Sequence, residues 1–246
     1  MSRDAPRCWA VVPAAGSGSR MGTQLPKQYL ELAGATVLEH SLRALLGCAQ
    51  VAGAVVALPA GDRRAAALPL MRACDNIRLV TGGAQRSASV LAGLEALAAG
   101  AAAGDWVLVH DAARPCVRPR DIAGLIARVT ASGIGGILAE PVVDTLKRAT
   151  TQGLVAATLD RQRLWRAQTP QMFRLDQLRQ ALRDAARAGR SVTDEAAAME
   201  MAGYPVQLVA GSPRNVKITV AADLELATWY LERRDEHDSE SDMPCT

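Results

Sequence analysis

Short apolar runs rich in valine alternate along the chain with longer stretches whose apolar residues recur at helical spacing. Cys8 to Val12, Gly53 to Leu58, Ile77 to Val80, Trp106 to Val109, Gly136 to Pro141 and Pro205 to Val209 have the length and β-branched content of buried strands. Helices are predicted from Thr36 to Leu46, from a start within Thr81–Val90 to about Ala98, from Asp121 to Ser132, from about Leu175 to Ala188, and from Ala222 to Glu232. Thr36 with Glu39 forms a capping box, and Asp62 is placed to cap a short helix before Ile77. Thr193 reads as the cap of one more helix, with Asp194 and Glu195 favourable at its positive end. Strands alternating with helices predict an α/β protein with a mostly parallel, right-handed wound sheet.

The rhythm breaks once. Thr145 to Ala149 and Val155 to Leu159 alternate around Thr151-Gln152-Gly153, which predicts a β-hairpin projecting from the sheet. An isolated hairpin is marginal in water, so this arm, about 142–168, is expected to pack on a partner chain. Asp160-Arg161 and Gln168-Thr169-Pro170-Gln171 close it, and Asn215 to Thr219 reads as a last short strand. Residues 235–246 are polar, acidic and poor in apolar residues, so a disordered tail is expected after a single domain over 1–234.

Composition narrows the setting. With 246 residues, 49% of them hydrophobic, but one Phe and three Tyr, the core has to be built from Ala, Leu and Val. The formal charge is +3, and basic residues are scattered rather than set in a stripe with aromatics, which argues against nucleic acid. Five cysteines show neither CxxC pairs nor metal-ligand spacing to a His, as expected of free thiols in a reducing cytosol. No signal-type apolar segment and no bilayer-length run occurs, so a soluble cytoplasmic protein without membrane partners is expected. His40 is alone and is assigned to packing or solvation; His110 is expected on the opposite side of its strand from Asp111.

The chemistry-bearing residues follow strand ends. After Val12 come Pro13, Ala14, Ala15, Gly16, Ser17 and Gly18, so small that successive N–H groups can line an anion site. Arg20 and Lys27 add a planar fork and a mobile point charge suited to polyphosphate. Neither the dinucleotide fingerprint nor the P-loop fits: Met21 stands where the third small residue belongs, and Gly-Lys-Ser/Thr is absent. A Gly-rich turn alone is the plainer alternative, which the two cations disfavour. Gly82, Gly83 and Ser89 repeat the strand-end construction as a second wall, or form an ordinary turn. Asp111-Ala112-Ala113-Arg114 places a carboxylate at a third strand end, for a hydroxyl or a divalent ion, unless Asp111 merely pairs with Arg114.

The first stretch resembles the signature of nucleotidyltransferases that activate sugar or alditol phosphates. With Pro26-Lys27, Val109 to Arg114, Thr169-Pro170-Gln171, Thr193-Asp194-Glu195 and Asn215-Val216-Lys217 following in order, the chain from Val11 to about Leu231 closely resembles the 2-C-methyl-D-erythritol 4-phosphate cytidylyltransferase family. These enzymes use CTP in the non-mevalonate isoprenoid pathway. The resemblance implies a Rossmann-like nucleotidyltransferase three-layer fold and a homodimer that exchanges its β-arm. It implies that Pro13, Ala14, Ala15, Gly16, Ser17, Gly18, Gly82, Gly83, Ser89, Asp111 and Ala112 hold CTP. It assigns Arg20, Lys27 and Lys217 to catalysis, and Asp111, Arg114, Thr145, Thr193 and Lys217 to the acceptor. Arg161 and Thr169, on the arm, would reach the acceptor phosphate of the other subunit. Mg²⁺ or another divalent ion would be held mainly by the CTP phosphates, with no direct protein ligand assigned.

The acceptor's own phosphate is the nucleophile in such a reaction, so no activated Ser or Cys is needed. Ser19, where relatives can carry a second basic residue beside Arg20, is a mild departure. The chain stops soon after the last predicted helix, so a fused cyclodiphosphate synthase domain is not expected. A ribitol 5-phosphate or other polyol-phosphate cytidylyltransferase is the nearest rival. A sugar-1-phosphate uridylyl- or thymidylyltransferase and a non-catalytic nucleotide-binding module fit less well.

Overall fold

The computed structural model describes residues 7–16, 25–102 and 104–233. The expected tail, 235–246, and the roles expected of Ser17, Gly18, Ser19 and Arg20 lie outside the described residues. In chain order the elements are β1 (Cys8–Pro13), a 3-10 turn (Lys27–Tyr29), β2 (Glu31–Leu32), β3 (Ala35–Thr36), α1 (Val37–Leu46), β4 (Val51–Leu58), α2 (Arg64–Ala67), α3 (Pro69–Ala73), β5 (Ile77–Thr81), α4 (Arg86–Ala98) and β6 (Trp106–Val109). There follow α5 (Pro119–Ser132), β7 (Gly136–Pro141), β8 (Leu146–Ala149), β9 (Val155–Leu159), β10 (Trp165–Arg174), α6 (Leu175–Arg187), α7 (Glu195–Met201), β11 (Gln207–Ala210) and α8 (Ala221–Glu232).

Seven strands form one sheet in the order β11-β7-β10-β6-β1-β4-β5. All neighbours are parallel except β10, which runs against both β6 and β7. The valine runs become central strands because both of their faces are covered. Ala10 and Val12 pack with Leu38, Leu42, Ile122 and Leu125 of α1 and α5, while Val11 between them packs with Val90 and Leu94 of α4 and the α6 side. The predicted α/β architecture with a mostly parallel sheet is therefore the observed one. The capping box of α1 is present, with the Thr36 hydroxyl accepting from Glu39 N–H and Glu39 accepting from Thr36 N–H. The four described cysteines are free thiols, and burial pushes that of Cys8 up to about 11.

Four expectations need correction. β10 was not foreseen as a sheet strand; Pro170 in its middle argued against one, since proline cannot donate to a ladder. The chain meets that constraint by a break: β10 pairs with β7 from Trp165 to Ala167, loses register, and resumes at Gln171. Thr169 accordingly sits in the main sheet and not on the arm. Asn215 to Thr219 is irregular chain, tied by Ile218 N–H to Ala113 O at 2.8 Å, because it crosses strand ends instead of joining the sheet. The cap of α7 is Asp194, whose carboxylate accepts from Ala197 N–H, one residue beyond the expected Thr193. Asp62 receives Arg64 N–H and Tyr29 O–H, but the residue at the cap position of α2 is Arg63.

The hairpin is where the alternation put it: β8 and β9 pair antiparallel and form a sheet of their own, with Gly153 at φ 81° in the turn. Val143, Leu154 and Val155 stand 75%, 64% and 66% exposed, an apolar surface this chain does not cover.

Gly93 brings α4 against β1, since a Cβ there would lie 2.6 Å from Cγ1 of Val11. Alanine would gain about 1 kcal/mol in helix propensity. Overpacking a buried contact costs about 1–3 kcal/mol and should win. Gly93→Ala is expected to lower Tm by about 2–4 °C in a thermal melt; an increase would show that α4 is not in close contact with the sheet.

Candidate active site

The parallel strands deliver their carboxyl ends to one edge, and the loops after β1, β5 and β6 form a cleft there. It is lined by Pro13, Ala14, Ala15 and Gly16 after β1, by Gly83, Arg86 and Ser89 after β5, by Asp111 and Ala112 after β6, and by Lys27 and Lys217. Each loop is fixed from below. Gln28, buried, donates to Ala14 O at 2.8 Å, and Ser41 of α1 donates to Ala112 O at 2.9 Å. Ser89 Oγ receives Gly83 N–H at 3.1 Å and gives its proton back toward the carbonyls of Gly83 and Gln85. Gly82 has no room for a side chain, since a Cβ would lie 2.8 Å from Ser89 Oγ and 2.9 Å from the Ala15 Cβ.

Asp111 is the electrostatic centre. Arg86 Nε donates to its Oδ1 at 2.9 Å, Lys217 Nζ lies 2.8 Å from Oδ2, and Arg114 Nε is 3.7 Å from the same oxygen. Burial alone would raise its pKa, but Arg86, then Lys217 and Arg114, outweigh it and hold the carboxyl well below the usual carboxylate range. Lys27 Nζ donates to Ile218 O at 3.0 Å, which sets it beside the segment that carries Lys217.

His110 is fully buried, and its ring is held by Arg114 O and Thr169. Its Nε2 meets Arg114 O, which can only accept, so Nε2 carries the proton and Nδ1 accepts from Thr169 O–H at 2.9 Å. The Thr169 oxygen in turn accepts from Asp111 N–H at 3.0 Å. Burial depresses the imidazole to about 4, so the ring is neutral near pH 7.

The break in β10 ties the loops together. Gln168 Nε2 donates to Ser212 O and its Oε1 accepts from Asn215, whose amide also reaches Thr169 O at 2.8 Å. Gln171 donates to Asp194 and accepts from Ala196 N–H at the start of α7. Arg114, mostly buried, donates to Asn215 O and Ala167 O.

Comparison with known proteins places this geometry in a family. The sequence model described as IspD, 2-C-methyl-D-erythritol 4-phosphate cytidylyltransferase, matches residues 8–233. The chain belongs to that family. A relative of that name from Klebsiella pneumoniae is 48% identical over 234 residues, covering 95% of this chain and 97% of its own. One from Escherichia coli O127:H6 is 50% identical over 227 residues, covering 91% and 93%. The crystal structure of the Francisella tularensis cytidylyltransferase (IspD) superposes with a TM-score of 0.77 at 36% identity, over 91% of this chain and 99% of that one.

Of the residues that the family resemblance named, the structure gathers Pro13, Ala14, Ala15, Gly16, Lys27, Gly83, Ser89, Asp111, Ala112 and Lys217 around the cleft, with Gly82 packed behind Ala15. Arg114 and Thr169 lie beneath it, committed to the Asp111 loop. Thr145, Arg161 and Thr193 are exposed outside this lining, and Arg161 Nη1 donates to Val143 O at the base of the arm. Arg86 and Glu195 were not foreseen as a pair. Glu195 had only a helix-start role, and Arg86 none, although an arginine as the first residue of a helix is disfavoured by the helix dipole and so signals another use.

The neutral His110 gives a sign to acid stability. Its folded value of about 4 lies below the ordinary 6.5, so the unfolded chain binds the extra proton between them and stability falls as pH falls through that window. The slope from this group approaches about 1.4 kcal/mol per pH unit. Denaturant melts of wild type and His110→Asn between pH 7 and 4.5 are expected to show the steeper loss in wild type; equal slopes would mean that the buried ring is not neutral.

Proposed function

We propose that the chain transfers CMP from CTP to 2-C-methyl-D-erythritol 4-phosphate, giving 4-diphosphocytidyl-2-C-methyl-D-erythritol and pyrophosphate. The observation that carries this reading is the make-up of the cleft: Lys27 and Lys217 line it with Asp111 as the one carboxylate among the described lining residues, beside residues small enough for backbone to meet a nucleotide. An oxygen of the acceptor phosphate attacks the α-phosphorus of CTP in line, a new P–O bond forms, and the bond to the pyrophosphate oxygen breaks. The chain's part is to bind and to neutralise charge. The 13–18 loop, Gly82, Gly83 and Ser89 hold CTP, Arg20, Lys27 and Lys217 face the developing charge, and Asp111, Arg114, Thr145 and Thr193 orient the acceptor.

The donor set suits Mg²⁺, which takes one or two carboxylates at most when it rides on substrate phosphates. Both oxygens of Asp111 are engaged by Arg86 and Lys217, so the phosphates of CTP would be its principal ligands, with Asp111 the facing carboxylate. When bound, the ion supplies further neutralisation of phosphate charge.

The active form is a homodimer joined by the arms, a reading that the exposure of Val143, Leu154 and Val155 supports; the exchanged arm would bring Arg161 to the partner's acceptor phosphate, while Thr169 stays with the Asp111 loop of its own chain. The enzyme works in the cytoplasm without nucleic acid or membrane partners; no helix among the described residues is long and apolar enough to cross a membrane.

Pyrophosphate release with Mg²⁺, crossing CTP, UTP and ATP against 2-C-methyl-D-erythritol 4-phosphate, ribitol 5-phosphate and glucose 1-phosphate, tests the activity. Release is expected with CTP and the methylerythritol phosphate; response to a different pair would overturn the substrate assignment and keep the chemistry. By analogy with loss of one oxyanion donor, Lys27→Ala should lower turnover on the order of 10²-fold or more, and a near-wild-type rate would remove Lys27 from the mechanism. Arm exchange is read separately. Mixing Arg161→Ala chains with Lys27→Ala chains is expected to restore activity above either parent, because some heterodimers hold one intact site. No recovery in verified heterodimers would sink the trans role of Arg161.

A further inference from the structure

Arg86 opens α4, the end of a helix where a cation is least favourable. Its partners account for it. Nη1 and Nη2 donate to the two oxygens of Glu195 at 2.6 and 3.0 Å, and Nε donates to Asp111 Oδ1 at 2.9 Å. Glu195 opens α7, its side chain is 1% exposed, and both of its oxygens are on the guanidinium. The N-termini of two helices and the loop after β6 therefore meet at one planar group.

Three features give the arrangement a direction. With both Nη atoms held by Glu195, the rigid fork leaves Nε only one heading, toward Asp111 Oδ1. That commits Oδ1 to Arg86 and leaves Oδ2 to Lys217, with Arg114 Nε 3.7 Å from the same oxygen. Glu195 also balances the charge of Arg86, so the guanidinium can border the cleft without competing with Lys27 and Lys217 for phosphate. The fork's base is itself fixed on the sheet, because Gln171 of β10 holds Asp194 and Ala196 N–H on either side of Glu195.

We propose that Arg86 and Glu195 are a positioning pair for cytidylyl transfer, fixing the rotamer of Asp111 and with it whatever hydroxyl or lysine meets its Oδ2. The role rests on the transferase reading above, and neither group exchanges a bond or a proton in it.

The test is the double variant Arg86→Met/Glu195→Met, assayed beside wild type with CTP and the methylerythritol phosphate. Apolar replacement of the Arg86–Glu195 pair is itself often neutral, but Asp111 Oδ1 loses a partner at about 1–3 kcal/mol, so Tm should fall by no more than about 10 °C in a folded protein. Lys27, Lys217 and the glycine loops remain, so KM for CTP should change less than about threefold while kcat falls about tenfold or more. A kcat within about threefold of wild type would make the pair structural only and overturn the proposal. Should the double variant not fold, Arg86→Lys decides: a point cation can balance Glu195 but cannot also aim at Asp111, so the same kcat loss is expected in a folded protein, and a wild-type kcat overturns the role. If wild type itself releases no pyrophosphate from this substrate pair, the transferase reading has failed first, and the pair's role falls with it.

Discussion

A buried carboxylate that must stay ionised governs the site. Asp111 is 7% exposed, and an isolated charge in that position would take up a proton rather than persist. Arg86, Lys217 and Arg114 keep it charged, and each arrives on a different piece of chain: the start of α4, the irregular segment after β11 and the loop of Asp111 itself. The dependence runs both ways. Without the carboxylate these cations would repel one another across a few ångströms of weakly screened space. With it, and with Glu195 on Arg86, the buried charges are paired among themselves and Lys27 and Lys217 remain at the cleft, as a triphosphate and a phosphomonoester need in order to meet there.

Much of this was legible where the signal is local. A valine run that ends in small residues reads as a buried strand delivering backbone to a ligand, and the loops after β1, β5 and β6 all carry that signal within a few residues. The strand β10 was obscured by a local signal pointing the other way: Pro170 marks a non-strand, and only the lost register between Ala167 and Gln171 shows how the strand accommodates it. The Arg86–Glu195 pair was illegible for a different reason. Its members are 109 residues apart, and nothing near Glu195 distinguishes a buried partner from the helix-start carboxylate it also is. Thr193 and Asp194 show the smaller failure, since both side chains can cap, and the choice between neighbours depends on where the backbone turns. The four described free thiols, the capping box of α1 and the pairing of β8 with β9 needed no tertiary information.

The direction of β10 links the arm to the cleft. In a purely parallel sheet every strand would point its carboxyl end at the ligand, and the chain would leave through a loop and a helix. Because β10 is reversed, its first residues lie beside the end of β7, with Trp165 opposite Pro141, and the whole arm from β7 to β10 must project from the cleft edge. Further along the same strand, at the break, Gln168 holds the segment that leads to Lys217, Thr169 holds the Asp111 loop, and Gln171 holds the start of α7 with Glu195. One strand therefore carries the hairpin at its beginning and the anchors of three charged loops a few residues later. The arm and the anchors of the site are therefore a few residues apart on one strand, so a displacement of the arm acts on the strand that holds those loops.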